Sequence, residues 1–110
     1  MCRLRKKETQ ILKKNIGKIF RRYNIVEYKS PDDYLCIDDF YKGYAYTYFY
    51  KADRTPVNSI LLEELPISFV VRIIQEKLFR HIVGERKLQI EKVYAGIYYV
   101  IGDTLPIQII

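Results

Sequence analysis

The feature that most constrains the fold is a change in apolar periodicity along residues 25–110. Runs typical of β-strands occur at 25–29, 67–73 and 88–110, and segments with a helical period separate them. Glycine-containing turns near residues 95–96 and 102–103 divide the last run into three strands. The order therefore predicts strand, helix, strand, helix and a C-terminal β-meander, an α/β (α+β) fold with a mixed sheet flanked by helices.

Two helices are predicted between the strands. The first occupies about residues 38–52, with Asp38 or Asp39 as its N-cap, and its many aromatic residues predict that it is well buried. The second occupies about residues 75–83 and is expected to end at Gly84, a residue that favours the C′ position. The apolar stripe expected on the first helix consists of Tyr41, Tyr44, Ala45 and Tyr48.

Length and composition restrict the classes of protein. A chain of 110 residues with 49% hydrophobic and 29% charged residues supports one hydrophobic core. It contains no apolar run long enough for a membrane span and no signal-peptide core, so a cytoplasmic protein without a membrane partner is expected. Cys2 and Cys36 lack the spacing of a zinc site or disulfide scaffold, which predicts free thiols.

Positive charge is concentrated at the start of the chain. Residues 1–22 contain nine Lys or Arg and one acid, Glu8, whereas the whole chain carries a net charge of +6. Such a segment attracts phosphate backbones, although a basic run is more often a solvated arm. We therefore divide the chain into a basic arm, residues 1–14, and a single domain, residues 15–110.

The triplet Glu27-Tyr28-Lys29 is the candidate catalytic and metal-binding site. Residues two apart on a strand share a face, so the carboxylate and the ammonium of this triplet lie side by side. Glu27 would bind Mg²⁺ or Mn²⁺, and the Tyr28 carbonyl would add a backbone ligand. Lys29 would stabilise negative charge on a scissile phosphate. On an exposed strand the same triplet is usually a surface pair that contributes little to stability.

Three runs around this triplet resemble a known family. They are 15–22 (NIGKIFRR), 24–35 (NIVEYKSPDDYL) and 37–42 (IDDFYK), with weaker similarity at 96–100 and 106–108. They resemble bacterial PD-(D/E)XK nuclease and transposase-like proteins related to the recombination-promoting nucleases. The resemblance implies Mg²⁺-dependent hydrolysis of DNA phosphodiester bonds, with Glu27 and Lys29 at the motif positions.

The resemblance also implies a restriction-endonuclease-like core, in which a helix and an Asp-bearing strand precede the Glu-x-Lys strand. Residues 1–22 offer only Glu8 in place of that Asp. We therefore expect a truncated core that lacks its first helix and strand, and a nuclease that is weakened or inactive. The strand edge left open would favour a homodimer, strand donation by residues 1–12, or poor stability.

Two other interpretations compete with a nuclease. A non-catalytic protein would bind nucleic acid, with DNA as the expected partner, through the basic residues 1–22. A purely structural fragment would dimerise through its open edge. His81, the only histidine, falls on the polar side of the second predicted helix, where a surface role is expected.

Overall fold

A computed structural model describes residues 18–21 and 23–110. The predicted arm at 1–14, its boundary with the domain, Cys2 and Glu8 all lie outside the described residues. The larger elements are strand β1 (Ile25–Tyr28), strand β2 (Tyr34–Leu35), helix α1 (Ile37–Ala52), a 3₁₀ turn (Leu62–Glu64), strands β3 (Ile67–Val70) and β4 (Ile73–Ile74), helix α2 (Glu76–Arg80), a π-helical turn (His81–Glu85), and strands β5 (Gln89–Tyr94), β6 (Ile97–Ile101) and β7 (Ile107–Ile109).

The strands form one mixed sheet of five and a small sheet of two. The order in the large sheet is β1-β3-β7-β6-β5, in which β1, β3 and β7 are parallel and β6 is antiparallel to both of its neighbours. The small sheet pairs β2 with β4 in parallel. The predicted mixed sheet with a C-terminal β-meander is confirmed, and a restriction-endonuclease-like core is not established by this topology alone.

Helix α1 connects two adjacent parallel strands and packs on one face of the large sheet. Its buried residues recur at helical spacing and are Phe40, Gly43, Tyr44 and Thr47. Gly43 provides the closest approach, because a Cβ atom at this position would lie 2.6 Å from Cζ of Phe69 on β3. Phe40 stacks on the same Phe69 ring with centroids 5.4 Å apart. The absence of a side chain at residue 43 therefore sets the distance between α1 and the sheet.

Two predictions for α1 were wrong. The helix begins at Ile37 with Cys36 as its N-cap, so neither Asp38 nor Asp39 caps it. The helix is also less buried than predicted, since Tyr41 and Tyr48 of the expected stripe are 38% and 47% exposed. The buried face of the helix instead consists of Phe40, Gly43, Tyr44 and Thr47. The many tyrosines along the helix made this face hard to identify from the sequence.

The segment after β3 also differs from the prediction. The expected strand at 67–73 breaks after Val70, and Ile73–Ile74 pairs with β2 in the second sheet. The second helix does not end at Gly84, which lies inside the π-helical turn His81–Glu85. Lys87, not the glycine, adopts a positive φ of 57° after this turn.

Among the described residues, no helix is long and apolar enough to cross a lipid bilayer.

Candidate active site on the edge strand

Strand β1 presents the predicted site residues on two different sides. Glu27 is paired in register with Phe69, and Phe69 lies beneath Gly43 of α1. Side chains paired in register in a parallel sheet project from the same face, so Glu27 faces α1, as does Lys29 two residues later. Tyr28 projects from the opposite face and is 72% exposed. The structure thus places Glu27 and Lys29 on the same face, as predicted, although the two side chains do not form an ion pair.

Lys29 is held by carboxylates from the loop after β1 and from the first turn of α1. Its Nζ atom lies 3.0 Å from Oδ1 of Asp39 and 3.7 Å from Oδ2 of Asp33. Asp39 also accepts hydrogen bonds from the backbone N–H of Cys36 at 3.3 Å and from the Cys36 thiol at 3.1 Å. Asp39 therefore joins the start of α1 to the end of β1 and fixes the position of the lysine ammonium.

These contacts shift the pKa values of both partners towards the charged forms. Burial alone would raise the pKa of Asp39, but hydrogen bonds from Cys36 and Lys29 outweigh it and lower the pKa. The hydrogen bond to Asp39 raises the pKa of Lys29, although partial burial opposes the change. Both groups are consequently charged at neutral pH, and the Lys29 side chain remains 23% exposed.

The backbone of Tyr28 faces the free edge of the sheet. Backbone N–H groups of Ile25 and Lys29 donate to β3, at 3.0 Å from the oxygen of Pro66 and 2.9 Å from that of Val70. In a parallel ladder these alternate residues direct both their N–H and their C=O groups to the neighbour, whereas the intervening residues direct theirs away. No other described strand pairs with β1, so in this part of the chain the Tyr28 carbonyl points away from the sheet.

The described residues supply an incomplete set of metal ligands. Glu27 is half-buried, and its side chain forms no hydrogen bond or ion pair with the other described residues. Its carboxylate and the Tyr28 carbonyl are hard oxygen donors of the kind that Mg²⁺ accepts. Across residues 18–21 and 23–110, however, no three acidic, histidine or cysteine side chains form a group able to hold a metal ion. The chemistry of the donors fits Mg²⁺, and their number is small.

Sequence reasoning missed Asp39 as the partner of Lys29, because it treated that residue only as a helix cap. The spacing of Cys36 and Asp39, an N-cap and its N3 position, is the signal that could have revealed this role.

Sequence reasoning also missed a second polar network, in which Asp103 accepts hydrogen bonds from Tyr44 at 2.5 Å and from Arg86 at 2.9 Å. Those residues are far apart in sequence, and only the tertiary fold brings them together.

Comparisons of this chain with family models, with curated proteins and with solved structures found no match.

Proposed function

We propose that this chain is a PD-(D/E)XK nuclease-type domain that acts on DNA phosphodiester bonds with Mg²⁺ or Mn²⁺. The observation that carries the proposal is the arrangement at the end of β1, where Glu27 and Lys29 share a face and the Tyr28 carbonyl points to the open edge. The motif resemblance at residues 24–35 and 37–42 supports the same assignment. The helix and the parallel strand that follow β1 occur in the order that the family would require.

In the proposed reaction Glu27 and the Tyr28 carbonyl hold the metal ion. When bound there, Mg²⁺ would act as a Lewis acid and lower the pKa of a water ligand. Lys29 provides a fixed positive charge that stabilises the negative charge developing on the phosphate oxygens. Asp39 holds the Lys29 ammonium at the C-terminal end of β1, with 3.0 Å between Nζ of Lys29 and Oδ1 of Asp39.

The small donor set has a direct consequence for affinity. One carboxylate and one carbonyl leave most coordination positions to water, so the described residues predict weak metal binding. The free edge of β1 is where an additional strand bearing an acid would pair, by hydrogen bonding to the Val26 and Tyr28 backbone groups. An acid from outside the described residues, such as Glu8, or from a second copy of the chain would complete the site.

Cleavage of supercoiled plasmid in Mg²⁺ or Mn²⁺ tests the proposal. Wild type should nick the plasmid, chelation should abolish nicking, and Glu27→Ala and Lys29→Ala should lose it. Glu91→Ala is the matched control, because Glu91 is an exposed carboxylate on β5, the opposite edge strand of the same sheet. Equal nicking by wild type and Glu27→Ala would refute the assignment of Glu27.

The alternative function, non-catalytic binding of nucleic acid by the basic residues 1–22, makes a different prediction. Binding would then weaken steeply with salt and survive both Lys29→Ala and chelation. A filter-binding or fluorescence-anisotropy titration with a short DNA duplex at two salt concentrations separates the two. Retained binding without any metal-dependent nicking would favour the alternative.

A further inference from the structure

A second polar cluster joins α1 to the π-helical turn His81–Glu85. Oη of Tyr41 lies 2.6 Å from Nε2 of His81, and Nδ1 of the same ring lies 2.9 Å from Oε2 of Glu85. Because the Glu85 carboxylate only accepts hydrogen bonds, we assign the hydrogen of a neutral His81 ring to Nδ1. Nε2 then accepts a hydrogen bond from the Tyr41 hydroxyl. The three side chains form a hydroxyl–imidazole–carboxylate relay.

The local backbone explains how these residues meet. The Arg86 N–H donates to the carbonyl of His81 at 3.0 Å, a bond across five residues that defines the π-helical turn. Single π-helical turns occur frequently at functional sites. The His81 side chain is only 13% exposed, and its ring contacts Tyr41 edge to face with centroids 5.5 Å apart. His81 was predicted to have a surface role, but its side chain is largely enclosed and packs against Tyr41.

Cationic side chains lie near this relay, and two of them have carboxylate partners: Arg86 lies 2.9 Å from Asp103, and Arg80 lies 3.9 Å from Glu76. A recess beside His81 and Glu85 is also lined by Ile37, Lys77 and Arg80. On the other side of the relay, the Arg86 guanidinium carbon lies 5.7 Å from the centre of the Tyr41 ring. Lys77 and Arg80 would attract an anionic ligand, and Arg86 would stabilise negative charge on the tyrosine oxygen.

We propose that Tyr41 is a nucleophile, activated by His81 and Glu85, in a second site that accepts phosphate esters. Oη of Tyr41 forms a bond to phosphorus while its proton passes to Nε2 of His81. The bond between phosphorus and the ester oxygen breaks, and His81 returns the proton to the leaving alcohol or phenol. The product on the protein is a phosphotyrosine at residue 41. This site is independent of Glu27 and Lys29.

An aryl sulfonyl fluoride tests the nucleophile without requiring the natural ester. The tyrosine oxygen bonds to sulfur, the S–F bond breaks, fluoride leaves, and the proton passes to His81. Mass spectrometry of the labelled intact chain, after digestion, compares Tyr41 with Tyr46 on the same helix. Tyr46 is 61% exposed and Tyr41 is 38% exposed, so exposure alone predicts faster labelling of Tyr46. The relay predicts that Tyr41 reacts at least about tenfold faster.

Two variants separate proton transfer from packing. His81→Gln keeps a side-chain acceptor near Tyr41 but provides no base, so Tyr41 labelling should fall to the rate of Tyr46. Glu85→Gln leaves the ring in place and should give an intermediate rate. Thermal melting by circular dichroism confirms that each variant is folded, and a variant that unfolds is replaced by the other. Labelling of Tyr41 no faster than Tyr46, or unchanged in a folded variant, would overturn the proposal.

Inorganic phosphate tests the class of ligand. Millimolar phosphate should slow labelling of Tyr41 and leave Tyr46 unaffected, and the protection should weaken in a variant carrying both Lys77→Ala and Arg80→Ala. Chloride at equal ionic strength is the control for screening. Absence of protection by phosphate, or equal protection by chloride, would overturn the assignment to phosphate esters.

Discussion

Replacing Gly43 by alanine should destabilise the protein, although the same change usually favours a helix. Alanine gains about 1 kcal/mol over glycine inside a helix. Against this gain, the new Cβ would lie 2.6 and 2.8 Å from two atoms of the Phe69 ring and 3.4 Å from Cγ2 of Ile67. Phe69 is fully buried and stacks on Phe40, so its ring cannot move aside without displacing α1.

The magnitude follows from the balance of these two effects. Overpacking a core by one or two carbon atoms costs about 1–3 kcal/mol, and a contact as short as 2.6 Å belongs in the upper half of that range. The free energy of unfolding should therefore fall by about 1–2 kcal/mol, and the melting temperature by about 5–10 °C. Urea denaturation followed by circular dichroism measures the first quantity, and a thermal scan measures the second.

Gly84 provides the matched control for this substitution. It lies in the π-helical turn, and a Cβ atom there would have no neighbour within 4 Å. Gly84→Ala should therefore stabilise the protein by about 0.5–1 kcal/mol through the entropy of the unfolded chain. If Gly43→Ala is as stable as wild type, or if both variants shift in the same direction, the close approach of α1 to the sheet is refuted.

Two further predictions concern the polar networks. Asp39→Asn should lower the free energy of unfolding at pH 7 by about 1–2 kcal/mol. Because the folded pKa of Asp39 lies below its ordinary value of 3.8, this contribution is present above pH 3.8 and is lost as the pH falls through the folded pKa. The difference between variant and wild type should thus be constant well above pH 3.8 and shrink as the pH falls below it in urea titrations, and a difference that does not shrink below pH 3.8 would contradict the linkage. Asp103→Asn should cost about 1–3 kcal/mol because it weakens two hydrogen bonds, and Tyr44→Phe, which removes one, should cost less. An equal or larger loss in Tyr44→Phe would argue against the shared role of Asp103.

The parts of the fold that followed local rules could be predicted from the sequence. Strand β1 was predicted at 25–29 because period-two alternation and Pro31 bound it clearly. The turn at Ala95-Gly96 was predicted because a two-residue hairpin loop favours glycine, and Gly96 has a φ of 81°. In both places a short-range pattern and the tertiary structure require the same residues.

The parts that failed depended on tertiary contacts. Composition made α1 appear buried all round, yet only the face centred on Gly43 meets the sheet. The helix was expected to stop at Gly84, but the chain continues through a π-helical turn in which His81 contacts Tyr41, forty residues earlier. No local pattern encodes a contact of that separation, so the relay and the Asp103 network were not predicted.

We propose that Glu27 and the Tyr28 carbonyl bind a divalent metal ion. The most direct test is paramagnetic broadening of amide signals by substoichiometric Mn²⁺, in wild type, Glu27→Ala and Glu91→Ala. Broadening should centre on residues 27–29, disappear in Glu27→Ala and persist in Glu91→Ala. Broadening spread over the exposed acidic residues, or unchanged in Glu27→Ala, would contradict it.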